Sequence, residues 1–352
     1  EGGGKKKKEP VVPEGVGELK ADDTQVMALD AAQQEDLSQM FVDVHQLHLD
    51  SGIDLGAPAG DPADQVHWWD SAFTQNLAGG DNELGDPWGL GLSAILAAKG
   101  PDAYKAYAIT NEVLLAYGVG PAVTGAPLAN QEYDVQSFEN GYFAVETAGS
   151  AATWNAQAET VAWTATDVTA NAEVDDLSGT YTAEQQDQVL SQIKRGLHLA
   201  RAVGYDVGTV ADFRDWIFGS PARRLFNANL SGGGTPAGAT YSAWGLSGIV
   251  VGSLNSDAGY VVANEIFFEW HRVGNGGGSP GAAITPPIFG GTLSWDGDAG
   301  HAVITGGEVH YTASKDGVMQ VFEGGVIEID STGGDASTGA LWRDNDTVEA
   351  DL

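Results

Sequence analysis

The 352-residue chain holds 16 Lys and Arg against 49 Asp and Glu, a formal net charge of −33, with 49 Gly, 10 Trp and no Cys. Without cysteine there is no disulfide framework, zinc–thiolate site, thiol nucleophile or iron–sulfur cluster, and His, Asp and Glu are left as the strong metal ligands. So acidic a chain repels phosphate backbones, which argues against nucleic acid as a partner, and it contains no run of 18 apolar residues that would form a transmembrane helix.

At about 150 residues per domain this length predicts two domains. Residues 1–30 open with Gly2-Gly3-Gly4, the run Lys5 to Lys8, Pro10 and Pro13, a composition that predicts a flexible tether. The leader resembles the stretch that follows the lipidated cysteine of bacterial lipoproteins. A removed signal segment, a lipid anchor upstream of Glu1 and a location outside the cell or at its surface are the corresponding expectations.

Sliding the chain against itself exposes an internal match at an offset of 153 residues. Leu37-Ser38-Gln39 recurs as Leu190-Ser191-Gln192, His45 meets His198, Phe73 meets Phe226, and Asn111-Glu112 meets Asn264-Glu265. Small slips bring Ile53-Asp54-Leu55-Gly56 onto Tyr205-Asp206-Val207-Gly208, and Trp88-Gly89-Leu90 onto Trp244-Gly245-Leu246. The expected organisation is a first unit over 31–150, a connecting strand or linker over 151–183, a second unit over 184–332 and an acidic tail over 333–352.

In chain order, Ala31 to Leu49 and Ala183 to Val203 place apolar residues at helical spacing and stop at Gly52 and Gly204. Second helices are expected over Asp64 to Leu77 and Ser220 to Leu230. Third helices are expected after Asn111 and Asn264, over Glu112 to Tyr117 and Glu265 to Trp270. Strands are expected over Phe138 to Glu146, Val161 to Val174 and Val318 to Asp330, where residues alternate or are β-branched. The fold class is therefore α+β, an internal duplication of a helix-plus-short-strand unit with Gly-rich turns, in two similar halves.

The stretch Ala116-Tyr117-Gly118, Gly125-Ala126-Pro127 and Gln136-Ser137-Phe138-Glu139-Asn140-Gly141 resembles an LGFP-type repeat: a short helix, a Gly-x-Pro turn and a Gln-x-Phe-x-x-Gly strand. Trp270, Ile284-Thr285-Pro286-Pro287 and Gln320-Val321-Phe322-Glu323-Gly324-Gly325 offer the second copy. Partial matches around Leu55-Gly56-Ala57-Pro58 and Gly208 would bring the number of degenerate units to four, covering about half the chain. Phe322 follows Phe138 by 184 residues, so the last unit contains an insertion of about 31. The resemblance implies a secreted, envelope-associated module that binds polysaccharide. The signature itself is structural, because Gly and Pro fix a turn and Phe anchors a strand.

The side chains able to carry chemistry are scattered. His45 and His48 lie three apart beside Asp50, a conceivable metal-ligand face, but only His45 has a histidine counterpart. Asp81, Glu83 and Asp86 alternate in a Gly-rich turn and are candidate calcium ligands; no other cofactor is expected. Asp296 and Asp298 hold a cation or solvate a turn. No His-Glu-x-x-His, Gly-x-Ser-x-Gly or phosphate-loop motif is present, so no catalytic residue is assigned. The stronger lead is aromatic: Trp68, Trp69 and Trp295 sit in Asp- or Gly-rich surroundings, and indole faces beside carboxylates suit sugar rings.

Two readings follow. One is a non-catalytic binding or structural module that engages envelope polysaccharide or copies of itself. The other is a carboxylate-dependent glycan hydrolase with acids such as Asp70, Asp81 or Glu265 in a cleft between the halves.

Overall fold

A computed structural model of the chain describes residues 11–59, 65–69, 72–79, 92–100, 103–157, 182–205, 207–217, 224–230, 249–253, 259–311, 315–330, 332–335 and 338–352. They divide into two compact units, Glu1–Ala158 and Glu159–Leu352. Both contain helices and antiparallel strands, so the chain is α+β. Among the described residues no helix is long and apolar enough to cross a membrane.

Unit 1 runs α1 (Thr24–Met27), α2 (Ala31–Asp50), β1 (His67–Trp69), β2 (Ala72–Asn76), β3 (Leu92–Lys99), β4 (Tyr104–Thr110), α3 (Asn111–Ala116), a 3-10 turn (Tyr117–Val119), α4 (Pro121–Thr124), β5 (Val135–Phe138), β6 (Gly141–Ala144) and β7 (Thr153–Ala156). Helix α2 starts where Asp30 accepts from the Gln33 N–H and Gln33 returns a bond to the Asp30 N–H, both at 2.9 Å. Its buried stripe of Leu37, Phe41 and Val44 packs with Ile95, Ala97 and Ala108 of the antiparallel meander β1-β2-β3-β4. The alternate residues Ala94, Leu96 and Ala98 face a second cluster containing Val113, Tyr117, Phe138 and Phe143. The sheet is thus covered on both faces.

Unit 2 runs α5 (Ala183–Ala202), β8 (Val210–Ile217), β9 (Arg224–Leu230), β10 (Ile249–Ser253), β11 (Gly259–Val262), α6 (Asn264–Asn275), β12 (Ile288–Phe289), β13 (Thr292–Asp296), β14 (His301–Thr305), β15 (Glu308–Val309), β16 (Val318–Phe322), β17 (Gly325–Ile329), β18 (Ala340–Asp344) and α7 (Asn345–Asp351). Thr182 and Gln185 form the same reciprocal cap at the start of α5. As in unit 1, a 20-residue helix precedes a four-stranded antiparallel meander, here β8-β9-β10-β11, then a helix and a hairpin.

Matching bonds recur in the two units. The Ile53 N–H returns to the His48 carbonyl at 2.8 Å, and the Tyr205 N–H to the Ala200 carbonyl at 2.9 Å. The Ala126 N–H donates to Glu139 Oε2 (3.2 Å) and the Ala282 N–H to Glu323 Oε2 (3.0 Å). A Cβ on Gly141 would lie 2.2 Å from the Asn155 carbonyl oxygen, and one on Gly325 2.2 Å from that of Arg343, so the adjoining strand needs glycine at both places. These bonds pair Gly281-Ala282-Ala283, and not Ile284 to Pro287, with Gly125-Ala126-Pro127; Ala283 stands at the proline position.

Three expectations are corrected. The second helices are strands: β1 and β2 lie within 64–77, and β9 fills 224–230. Residues 11–30 are no tether, because Val16 and Val26 are buried and Gln75 bonds both the Gly17 N–H and the Gly15 carbonyl. Residues 340–351 are no tail, because β18 pairs with β17 and Val348 of α7 enters an apolar cluster. The strand expected over Val161 to Val174 lies outside the described residues.

Candidate functional site

Among the described residues, the units differ where the Gly-turn strand connects to the Gln-x-Phe strand. Gln136 Nε2 donates to the Ala129 carbonyl, and Gln320 Nε2 to the Thr285 carbonyl at 2.8 Å. Between these anchors unit 1 has only residues 130–135, whereas unit 2 has residues 286–319. Residues 286–319 make the hairpin β13–β14 and the short strands β12 and β15, which pair with each other.

A mixed aromatic and polar group gathers at this addition. Tyr205, in the loop after α5, places its hydroxyl 3.2 Å from His310 Nδ1 and its ring centroid 5.5 Å from that of Tyr311. The Phe289 ring lies 5.9 Å from His310, and Lys315 Nζ sits 3.5 Å above the Phe289 centroid. Glu308 Oε1 lies 3.9 Å from Lys315 Nζ and 4.0 Å from His310 Nδ1. Partial burial, with Lys315 nearby, holds the His310 imidazole below its usual range against the pull of Glu308. Partial burial and Glu308 push the Tyr205 hydroxyl up, so it stays protonated near neutrality. The group thus offers ring faces, a hydroxyl, a neutral imidazole, an ammonium and a carboxylate, a combination suited to a ligand bearing C–H faces and hydroxyls.

Trp295 lies on β13 opposite Ala302, half-buried against the cluster of Ala302, Met319, Val321, Val326 and Val348. It packs that cluster while keeping part of its surface open. Next to it, Asp296 Oδ1 accepts the N–H groups of Asp298 (3.0 Å) and Ala299 (3.1 Å), which makes the pair a turn. Trp68 and Trp69 lie on β1, in register with Phe73 and Ala72. Asp81, Glu83, Asp86, Trp88 and Trp244 lie outside the described residues.

The two helix histidines are engaged by backbone. His45 is buried with Nε2 2.8 Å from the Gly56 carbonyl, and His48 Nδ1 lies 2.8 Å from the Val44 carbonyl. A carbonyl only accepts, so each of those nitrogens carries the proton. Among the described residues no three His, Asp or Glu side chains converge as a metal site.

The buried carboxylates are structural ligands. Glu112 accepts the Gly149 N–H at 2.9 Å, and Glu269 takes Arg272 in a two-pronged pair (2.6 and 2.7 Å) together with the Thr338 hydroxyl (3.0 Å). Glu265 differs: burial holds its carboxyl above the usual range, and Oε2 has no partner among the described residues.

No protein-family model, curated protein or solved structure matches the chain. Sequence reading did not find the group around Tyr205, since its members span 205 to 315 and share no motif. One signal was present: at the position where unit 1 has Ile53, unit 2 has Tyr205, a hydroxylated ring in place of an aliphatic side chain.

Proposed function

We propose that this chain is a non-catalytic, secreted or surface-exposed binding module of LGFP-like repeats, with two units that arose by duplication, and that it engages neutral envelope polysaccharide. The observation that carries the reading is the location of ligand-competent side chains. Phe289, Glu308, His310 and Lys315 lie on the segment that unit 2 adds, with Tyr205 against them, whereas Glu112 and Glu269 are tied to backbone, Arg272 and Thr338. The shared elements supply caps, turns and core, which accounts for two units of one design with chemistry added to one. The net charge of −33 disfavours acidic polymers at any distance within a Debye length, about 8 Å at physiological salt. Asp81, Glu83 and Asp86 are proposed calcium ligands, to be tested by titration of calcium with and without chelator.

Calorimetry of the full chain against soluble mannan, glucan and galactan tests the proposal. Binding to one of them, weakened by Phe289→Ala, is the expected result. No binding to any polysaccharide, with concentration-dependent assembly in sedimentation, would transfer the role to self-association. Glu265 motivates the hydrolase reading, since burial raises its carboxyl in the direction that a general acid requires. Release of reducing ends that Glu265→Gln abolishes would establish that reading and overturn the first.

A further inference from the structure

The short connection of unit 1 has its own unusual feature. Glu132 and Val135 exchange both backbone hydrogen bonds at 2.9 Å, closing a two-residue turn on Tyr133 and Asp134. These two residues have φ of 48° and 64°, and among the described residues they are the non-glycine residues with positive φ. Such a turn favours Asn-Gly, because a Cβ in the left-handed region meets its own backbone; tyrosine there is strained.

Packing offsets only part of this strain, since Tyr133 remains 41% exposed. The same segment holds a second unfavourable feature: Asn130 Oδ1 is sealed from solvent with no hydrogen-bond partner among the described residues. Strain that surrounding structure enforces, and that partial burial does not fully offset, points to function at the strained residue. Exposed Asp134 is the next residue in the turn, so an aromatic ring and a hydroxyl acceptor are offered by consecutive exposed residues. Partial burial, then Glu132, pushes the phenol up to about 12, so it remains a hydrogen-bond donor.

Location adds the independent argument. Tyr133 lies between Ala129 and Gln136, the anchors that correspond to Thr285 and Gln320, and therefore occupies in unit 1 the connection that carries Phe289 and His310 in unit 2. Both units present an aromatic side chain from this one connection, unit 2 by adding a hairpin and unit 1 by straining a turn.

We infer that Tyr133 is a second glycan-contact residue, held outward by the Tyr133–Asp134 turn to stack on a neutral sugar ring. The inference rests on the polysaccharide-binding reading proposed above. It assigns to unit 1 a weak site of the same chemical class as the group around Tyr205.

The test uses the full chain and the neutral polysaccharide it binds. Replacing the turn with Asn-Gly, as Tyr133→Asn with Asp134→Gly, should relieve the strain and raise the thermal midpoint while weakening binding roughly three- to tenfold, the range for one aromatic contact. Tyr133→Phe keeps the ring and should retain most of the affinity. If the Asn-Gly variant binds like wild type while Phe289→Ala binds more weakly, the inference falls and the polysaccharide reading stands. If the Asn-Gly variant is less stable than wild type, the turn is not strained and the inference falls. If wild type binds no polysaccharide, both fall.

Discussion

Units 1 and 2 close the same turn with the same bonds and then connect onward differently. A glutamate takes the N–H after the turn glycine, a buried glutamine takes a carbonyl three residues on, and a buried phenylalanine starts the hairpin. Between these fixed points, unit 1 crosses with residues 130–135 and unit 2 with 286–319. The contrast teaches that the anchors, and not the connection, hold the scaffold, so the connection is free to carry side chains for other work.

The largest effects should fall on the shared core. Phe138 and Phe322 are both fully buried at corresponding places in their hairpins. Phe138→Ala and Phe322→Ala should each destabilise by about 3–5 kcal/mol, read by denaturant melts. A loss confined to one of them would break the equivalence.

The helices should separate the units under acid. Burial, reinforced by Arg201 and Lys194, lowers the imidazole of His198 to about 3, whereas an unfolded histidine titrates near 6.5. The folded-state value is depressed, so its contribution is complete above 6.5 and is lost as pH falls from 6.5 toward about 3, where only the unfolded chain takes the proton. The full window corresponds to on the order of 5 kcal/mol. His48 shifts the same way through burial, opposed by its bond to the Val44 carbonyl. Urea melts at pH 7 and pH 4 should show His198→Leu flattening the acid slope; an unchanged slope would place the acid sensitivity elsewhere.

Glu139→Gln and Glu323→Gln should come next, at about 1 kcal/mol each, since an amide oxygen replaces a carboxylate as acceptor for the turn N–H. Equal losses sharpen the comparison. Unequal losses would show that one turn depends on its carboxylate and the other does not.

How much of this was legible in the sequence depends on what covered each element. The long helices were legible because each carries one apolar stripe at helical spacing and stops at a glycine, Gly52 or Gly204, signals that are written locally. Strand β2 was not: Ala72, Phe73, Thr74 and Gln75 are all buried, so the period-2 signal vanishes. Val66, Trp69, Phe73 and Leu77 then mimic helical spacing. The C-terminal segment was misread because its acidic composition hides a cap at Asp344 and a single anchor, Val348. In the candidate site, Trp295 was legible as an aromatic in an unusual setting, and its half-burial was not. The group around Tyr205 was invisible because only the folded addition brings Tyr205 to His310.

The smallest expected effect bears most directly on the difference between the units. Tyr205→Phe removes the hydroxyl bonded to His310 and keeps the ring against Tyr311. His310 remains open to water, with its side chain 22% exposed, so solvent can replace the bond and stability should change by only about 0.5–1 kcal/mol. Polysaccharide affinity should fall further than stability, because a ligand hydroxyl facing the site loses a fixed partner. The reciprocal change, Ile53→Tyr, gives unit 1 the hydroxyl without a Phe289, His310 or Lys315 to receive it and should leave affinity unchanged in calorimetry. A gain of binding from Ile53→Tyr would mean that the helix-end loop alone makes the site, and that the segment 286–319 is scaffold.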